Sequence, residues 1–459
     1  MTLDVSAPLE IDPLIDNPAT RIIVCCGAGG VGKTTTAAAL GVRAAERGRK
    51  VVVLTIDPAR RLAQSMGIDS LDNIPRRVKG IEGEGELHAM MLDMKRTFDE
   101  IVEAHADGER SRAILENPFY QSLSAGFAGT QEYMAMEKLG QLRARDEWDL
   151  IVVDTPPSRS ALDFLDAPKR LGSFLDGKFI KLLMAPAKMG GRAGMKFLNV
   201  GMSMMTGTLG KLLGGQLLRD VQTFVAAMDS MFGGFRTRAD ATYRLLQAPG
   251  TAFLVVAAPE RDALREAAYF VERLAAEEMP LAGLVLNRVH GSGAARLSAE
   301  RALAAAENLD EGRIVDQEPG KTGVRDAPGA SPESPPVPKI TVQHTPMQKT
   351  TVQKTTVQKT TVQKTTVEHS PEDHEAALDH DGQGDHTTEL LTAGLLRLHA
   401  ERMQVLAREQ RTRDRFTALH PEVAVAQVPA LPGDVHDLAG LRAIGDRLAT
   451  DGRTPAGAA

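Results

Sequence analysis

Lys33 and Thr34 close the run Gly27-Ala28-Gly29-Gly30-Val31-Gly32-Lys33-Thr34, a G-x-x-x-x-G-K-T spacing between an apolar run and an alanine-rich one. The chemistry this spacing serves is the holding of a triphosphate. Glycines let backbone N–H groups converge on phosphate oxygens with no Cβ in the way, and a following helix N-terminus adds partial positive charge. Lys33 is then the cation on the β- and γ-phosphates and Thr34 the hydroxyl on Mg²⁺.

Two aspartates supply the remaining chemistry. Asp154 follows Leu150 to Val153 and opens Asp154-Thr155-Pro156-Pro157-Ser158; Asp57 follows Val51 to Ile56 and opens Asp57-Pro58-Ala59-Arg60. At the carboxyl ends of parallel strands both carboxylates face the crevice of the phosphate loop. Asp154 has the position of a carboxylate that anchors Mg²⁺ through its water shell. Asp57 is placed to orient or deprotonate an attacking water. The competing reading for each is a cap on the next helix.

These groups need a frame. Ile22 to Cys26 reads as a buried strand and Thr34 to Arg47 as a helix closed by Gly48. Further strand-like runs are Val51 to Ile56, Glu86 to Leu92, Leu150 to Val153, Ala252 to Ala257, Gly283 to Leu286 and Val423 to Val428. Their near-continuous Val, Ile and Leu content predicts strands covered on both faces, hence an α/β fold with a mostly parallel sheet flanked by helices and a helical subdomain inserted.

Composition narrows the class. A net charge of −6 over 459 residues argues against nucleic-acid binding through bulk charge. Cys25 and Cys26, the two cysteines, are strand neighbours that point to opposite faces, so neither a disulfide framework nor a zinc site is expected. No apolar run reaches the ~18 residues of a membrane span, and no signal peptide opens the sequence, so a cytoplasmic location is expected.

Gly27 to Thr35, Thr55-Ile56-Asp57-Pro58-Ala59, Asp154-Thr155-Pro156-Pro157 and Pro429-Ala430-Leu431-Pro432-Gly433-Asp434-Val435 together resemble the arsenite-pump and tail-anchored-protein-targeting ATPases, of the deviant phosphate-loop class. Gly129-Thr130-Gln131-Glu132-Tyr133-Met134-Ala135-Met136-Glu137 resembles the family's stretch before the second switch. The likeness covers residues 20 to 316 and 390 to 450. It implies ATP and Mg²⁺ as ligands, and a dimer that sandwiches nucleotide, with Asp57 catalytic and Asn287 on the adenine; a turn residue at a strand end is the competing reading for Asn287. Glu266 resembles a residue that touches nucleotide across the dimer. The nucleotide-binding set expected is Gly29, Gly30, Val31, Gly32, Lys33, Thr34, Thr35, Glu266, Asn287, Pro429 and Leu431; the Mg²⁺ set is Thr34, Asp57 and Asp154, partly through water.

One position departs from the pattern. The family usually carries a second lysine where this chain has Ala28, and that lysine reaches the partner's γ-phosphate. A cation about 4 Å from a phosphate charge is worth up to about 4 kcal/mol at an effective dielectric near 20, and comparable cationic fingers supply roughly 10³–10⁵ in rate. The departure points to one half of a heterodimer whose other half, a homologous subunit, carries the lysine, and to slow hydrolysis by a homodimer. A regulatory nucleotide-binding subunit is the alternative. Arsenite extrusion ranks below both, because no cysteine cluster exists to bind the metalloid.

The expected organisation is an N-terminal tail at 1–19, the ATPase core at 20–168, 249–316 and 390–450, a Met-rich basic helical subdomain at 169–248, a disordered low-complexity insert at 317–389 and a tail at 451–459. Lys169 to Arg219 carries nine Lys or Arg against Asp176, and eight of the 18 methionines fall between Met184 and Met231. Methionine-rich surfaces adapt to varied apolar partners, which makes Met202, Met204 and Met205 candidates for a client or membrane surface; ordinary core helices are the competing reading. In the insert, Lys-Thr-Thr-Val-Gln repeats every five residues through Lys349 to Val367. That period fits neither a helix nor a strand face.

Overall fold

Ile22–Gly27 forms β1, buried along its whole length. It lies between Leu150–Asp154 (β5) and Thr251–Ala257 (β6), both parallel to it. In this computed structural model the described residues are 7–56, 61–68, 70–123, 130–156, 237–315 and 381–449, with isolated positions between 220 and 234. The remaining strands are Lys50–Thr55 (β2), Arg76–Arg77 (β3), Glu86–Met91 (β4), Leu281–Val289 (β7) and Val425–Pro429 (β8). They make one sheet in the order β3-β4-β2-β5-β1-β6-β7-β8, parallel except for the β3–β4 pair.

The alternation of a strand places its side chains on opposite faces, and each face has its own helix layer. One layer holds Ile11–Asp16 (α1), Lys33–Glu46 (α2) and Arg61–Ser65 (α3), together with the last described helix, Leu438–Ala449. The other begins with Met94–His105 (α4), Gly108–Leu115 (α5), Pro118–Leu123 (α6) and Thr130–Arg145 (α7) and continues with residues 237–247 (α8) and Arg261–Ala276 (α9). Cys25 belongs to the first core and Cys26 to the second, as neighbours on a strand must.

Residues 7–16, within the expected N-terminal tail, are packed. Leu9, Ile11 and Ile15 are buried, and Leu9 and Val425 bond along the outer edge of β8. Asp12 and Asp16 of α1 pair with Arg43 and Arg47 of α2.

Ala299–Val315 (α10) and Asp381–Leu419 (α11) follow, and Leu438–Ala449 is α12. The described residues among 297–401 belong to a second compact unit, tied internally by an Arg397–Asp310 ion pair and by His399 Nε2 with the Leu297 carbonyl at 2.8 Å. α11 starts at Asp381, inside the stretch expected to be a disordered insert up to 389. Once a helix is nucleated by the residues that follow, extending it over polar ones costs little. Residues 317–380 lie outside the described residues. Among the described residues no helix is long and apolar enough to cross a membrane.

Candidate nucleotide site

The loop between β1 and α2 occupies the carboxyl end of the central strand, with neighbours running out on both sides. Two of its glycines are required by close approach. A Cβ on Gly27, at φ +145°, would sit 2.1 Å from the Val256 carbonyl oxygen, and one on Gly32, at φ +96°, would sit 2.2 Å from the Asn287 side-chain nitrogen. Gly32 is the N-cap of α2, and Thr36 N donates to its carbonyl at 2.9 Å to begin the helix. Lys33 is buried at 6 % exposure, and its ammonium donates to the carbonyls of Gly27 at 3.0 Å and Ala28 at 2.7 Å. The cation is thereby folded over the mouth of its own loop. Thr34 and Thr35 follow in the first turn of α2, partly exposed.

Asp154 ends β5, fully buried, level with Cys25 of β1 on one side and Thr55 of β2 on the other. Its Oδ2 accepts from the Thr55 hydroxyl at 2.9 Å. Thr155 donates its hydroxyl to the Cys25 carbonyl at 2.9 Å, so the turn after Asp154 is pinned beside the loop. Burial, reinforced by the Asp154 charge, raises the Cys25 thiol well above its ordinary range, and burial pushes Cys26 up to about 12. Both thiols therefore stay protonated and unreactive.

Asn287, at the end of β7, comes to the same loop from the other side. Its Nδ2 donates to the Val31 carbonyl at 2.8 Å, and its Oδ1 accepts from Arg288 N at 2.9 Å. Arg288 sits at φ +61° where the β7–β8 register shifts between Asn287 and Val289. Val428 is level with Asn287, and Ala430 N donates to the Val289 carbonyl at 2.9 Å. Pro429 is thus level with Val289, at the strand end just beyond Asn287. Glu266 lies in the second turn of α9, partly exposed and with no hydrogen bond or ion pair among the described residues. It is not drawn into this group. Asp57, Met202, Met204 and Met205 lie outside the described residues.

Sequence reasoning passed over Gln131, in the first turn of α7, whose Nε2 donates to the Ile56 carbonyl at 2.8 Å. Its place in the stretch Gly129 to Glu137 was the available signal.

The anion-transporting ATPase profile matches residues 20–298, well over half of the chain. The chain belongs to the anion-transporting ATPase family. Among relatives of this family, the ATPase GET3 of Malassezia globosa is 30% identical over 170 residues, 37% of this chain and 49% of that protein. The ATPase GET3 of Podospora anserina is 26% identical over 285 residues, 61% of this chain and 76% of its own length. The ATPase ARSA2 of Chlamydomonas reinhardtii is 27% identical over 326 residues, 68% of this chain and 80% of its own. Membership in the anion-transporting ATPase family makes the chain an ATPase with an ArsA-type, mostly parallel α/β core.

The donor set at the loop suits Mg²⁺. A buried carboxylate and a threonine hydroxyl are hard oxygen ligands, and no group of three His, Cys, Asp or Glu side chains that could hold an ion alone occurs among the described residues. Mg²⁺ fits such a place because it keeps several waters and binds through one or two carboxylates plus phosphate oxygens.

Proposed function

We propose that this chain binds Mg-ATP on the Gly27–Thr34 loop and hydrolyses it as one subunit of a heterodimer that handles a hydrophobic client or a membrane-associated partner. The observation that carries the reading is the loop itself: two glycines that tolerate no Cβ, and a buried Lys33 ammonium resting on the Gly27 and Ala28 carbonyls. A triphosphate offers that ammonium charged oxygens in place of two neutral carbonyls, which is the stronger interaction.

In this reading Gly29, Gly30, Val31 and Gly32 present backbone N–H groups, Lys33 meets the terminal phosphates, and Thr34 and Asp154 hold Mg²⁺ with Asp57 nearby through water. Bound Mg²⁺ would neutralise charge developing on the phosphates. Asp57 orients the water and takes its proton as the oxygen attacks the γ-phosphorus, while the bond from that phosphorus to the bridging oxygen breaks and ADP leaves with the electron pair. Thr35, Pro429 and Leu431 line the nucleotide, Asn287 faces the base, and Glu266 approaches a nucleotide across the subunit boundary.

Ala28 is 8 % exposed and brings no charge. The cation over this chain's γ-phosphate therefore comes from a homologous subunit with lysine at the matching position. The resemblance of the sequence to the arsenite-pump and tail-anchored-protein-targeting ATPases supports a dimer, homodimer or heterodimer, and the reading places it in the cytoplasm or peripherally at a membrane. Met202, Met204 and Met205 are the proposed client surface; nucleic acid is not a partner. The second reading, a regulatory subunit that binds ATP and hydrolyses little, is favoured by Ala28 alone.

Mixing decides between them. The chain alone should turn ATP over slowly, and addition of a lysine-bearing homologue should form a nucleotide-dependent one-to-one complex with faster hydrolysis that Asp57→Asn reduces. Hydrolysis by the mixture that is indifferent to Asp57→Asn identifies a regulatory subunit. An isolated chain already as fast as the mixture rules out the heterodimer.

A further inference from the structure

Ile56 is the last described residue of the segment that leads into Asp57, and both of its backbone polar groups are committed. Its N–H donates to the Asp154 carbonyl at 3.0 Å, and its carbonyl accepts from Gln131 Nε2 at 2.8 Å. The side chain of Ile56 is buried at 1 % exposure. The carbonyl that Gln131 grips belongs to the peptide bond whose nitrogen is that of Asp57, and a planar peptide transmits the orientation of one end to the other. A side chain some 75 residues downstream thus fixes the plane from which Asp57 departs.

Gln131 is itself held on a stiff support. It opens α7, and the same helix is anchored to its neighbours by a buried network. The Tyr133 hydroxyl donates to Glu137 Oε2 at 3.0 Å, Arg238 Nε of α8 donates to Glu137 Oε1 at 2.7 Å, and Lys138 Nζ reaches Glu100 Oε2 of α4 at 2.9 Å. Tyr133, Glu137 and Lys138 are all buried. A group that sets the position of another is effective only when it is itself held, and these buried pairs hold α7.

We propose that Gln131 is a positioning residue for hydrolysis: by holding the Ile56 carbonyl it sets the backbone from which Asp57 meets the attacking water. The proposal rests on the reading of Asp57 as the hydrolytic carboxylate. In this role Gln131 acts through the Ile56 carbonyl and not on the substrate directly. Its effect therefore falls on the chemical step and leaves nucleotide affinity alone.

The test uses the full chain in single-turnover ATP hydrolysis, with ATP affinity, thermal stability and amide hydrogen exchange of the ATP-free chain measured alongside. Gln131→Leu removes the donor at similar size. Hydrolysis should fall roughly tenfold, since small misplacements at a reacting centre cost that order or more, while ATP affinity stays within about twofold, the equivalent of about 0.4 kcal/mol. Exchange of the Ile56 amide, which donates to the Asp154 carbonyl, should quicken with no change in the sheet. Gln131→Glu puts a carboxylate, which cannot donate, against a carbonyl. Its hydrolysis relative to wild type should be low at pH 8 and recover as the pH falls towards 5, because the protonated carboxyl donates again; this variant serves even if Gln131→Leu folds poorly. A wild-type rate in Gln131→Leu overturns the proposal. So does a loss that no pH restores in Gln131→Glu and that comes with a lower melting temperature and faster exchange throughout the sheet. Asp57→Asn separates the two claims. If it hydrolyses normally, the Asp57 reading fails whatever Gln131 does; if it is inactive while Gln131→Leu is normal, only the positioning role fails.

Discussion

The Asn287 amide spans the 2.8 Å gap to the Val31 carbonyl and stands where a Cβ on Gly32 would have to be. The end of β7 therefore holds the phosphate loop from outside, and the glycine that caps α2 is fixed by this contact as much as by its own φ of +96°. One side chain joins the loop to the end of β7.

Asn287→Ala tests that link. The substitution deletes a hydrogen bond to a loop carbonyl, a loss of roughly 1 kcal/mol. ATP affinity should drop about fivefold or more, with the melting temperature lowered by no more than a few degrees. An unchanged dissociation constant by calorimetry would show that the loop keeps its shape without Asn287.

Acid should loosen the α1–α2 contact. Arg43 grips Asp12 with Nε and Nη2 at 2.6 and 2.8 Å, and this hydrogen-bonded ion pair lowers the Asp12 carboxyl below its ordinary 3.8. A depressed folded-state value means that the unfolded chain binds the extra proton, so the contribution is complete above about pH 4 and lost as the pH falls through the lowered value. Solvent screening keeps it to about 1 kcal/mol. Asp12→Asn should be less stable than wild type at pH 7, and thermal melts should show that difference shrinking below pH 4. A difference that persists undiminished to pH 2.5 would mean the pair contributes through packing alone.

The two thiols should resist alkylation. Cys25 and Cys26 are buried and held protonated, so iodoacetamide at pH 8 should leave the native chain unmodified and label both residues only in denaturant. Mass spectrometry showing native labelling would place β1 nearer solvent than this fold allows.

The parallel strands and the loop were legible because both depend on local composition. Strands buried on two faces must be apolar throughout, and the phosphate loop needs its glycines and lysine at fixed spacing, so β1, β2 and β4 to β8 all fell on runs visible in the sequence. β3 did not, because two exposed arginines on an antiparallel edge carry no pattern. The packing of residues 7–16 also escaped: its ion pairs join residues 31 positions apart, and Ile11 and Ile15 alone make too short a stripe to announce a helix. The resemblance singles out Asn287 for the adenine, but its bond to Val31 crosses 256 positions and no spacing rule predicts it. The bond from Gln131 to Ile56 crosses 75 positions, so the stretch Gly129 to Glu137 marks the residue but not its contact.

Binding of Mg-ATP to Lys33→Ala is the most direct check on the site. Lys33 is the cation the loop encloses, and removing it leaves the glycines, Thr34 and Asp154 in place. Titration calorimetry on the folded variant should show affinity weakened at least tenfold, about 1.4 kcal/mol, with a melting temperature close to wild type. Wild-type affinity in a folded Lys33→Ala chain would mean that the Gly27–Thr34 loop is not where ATP binds.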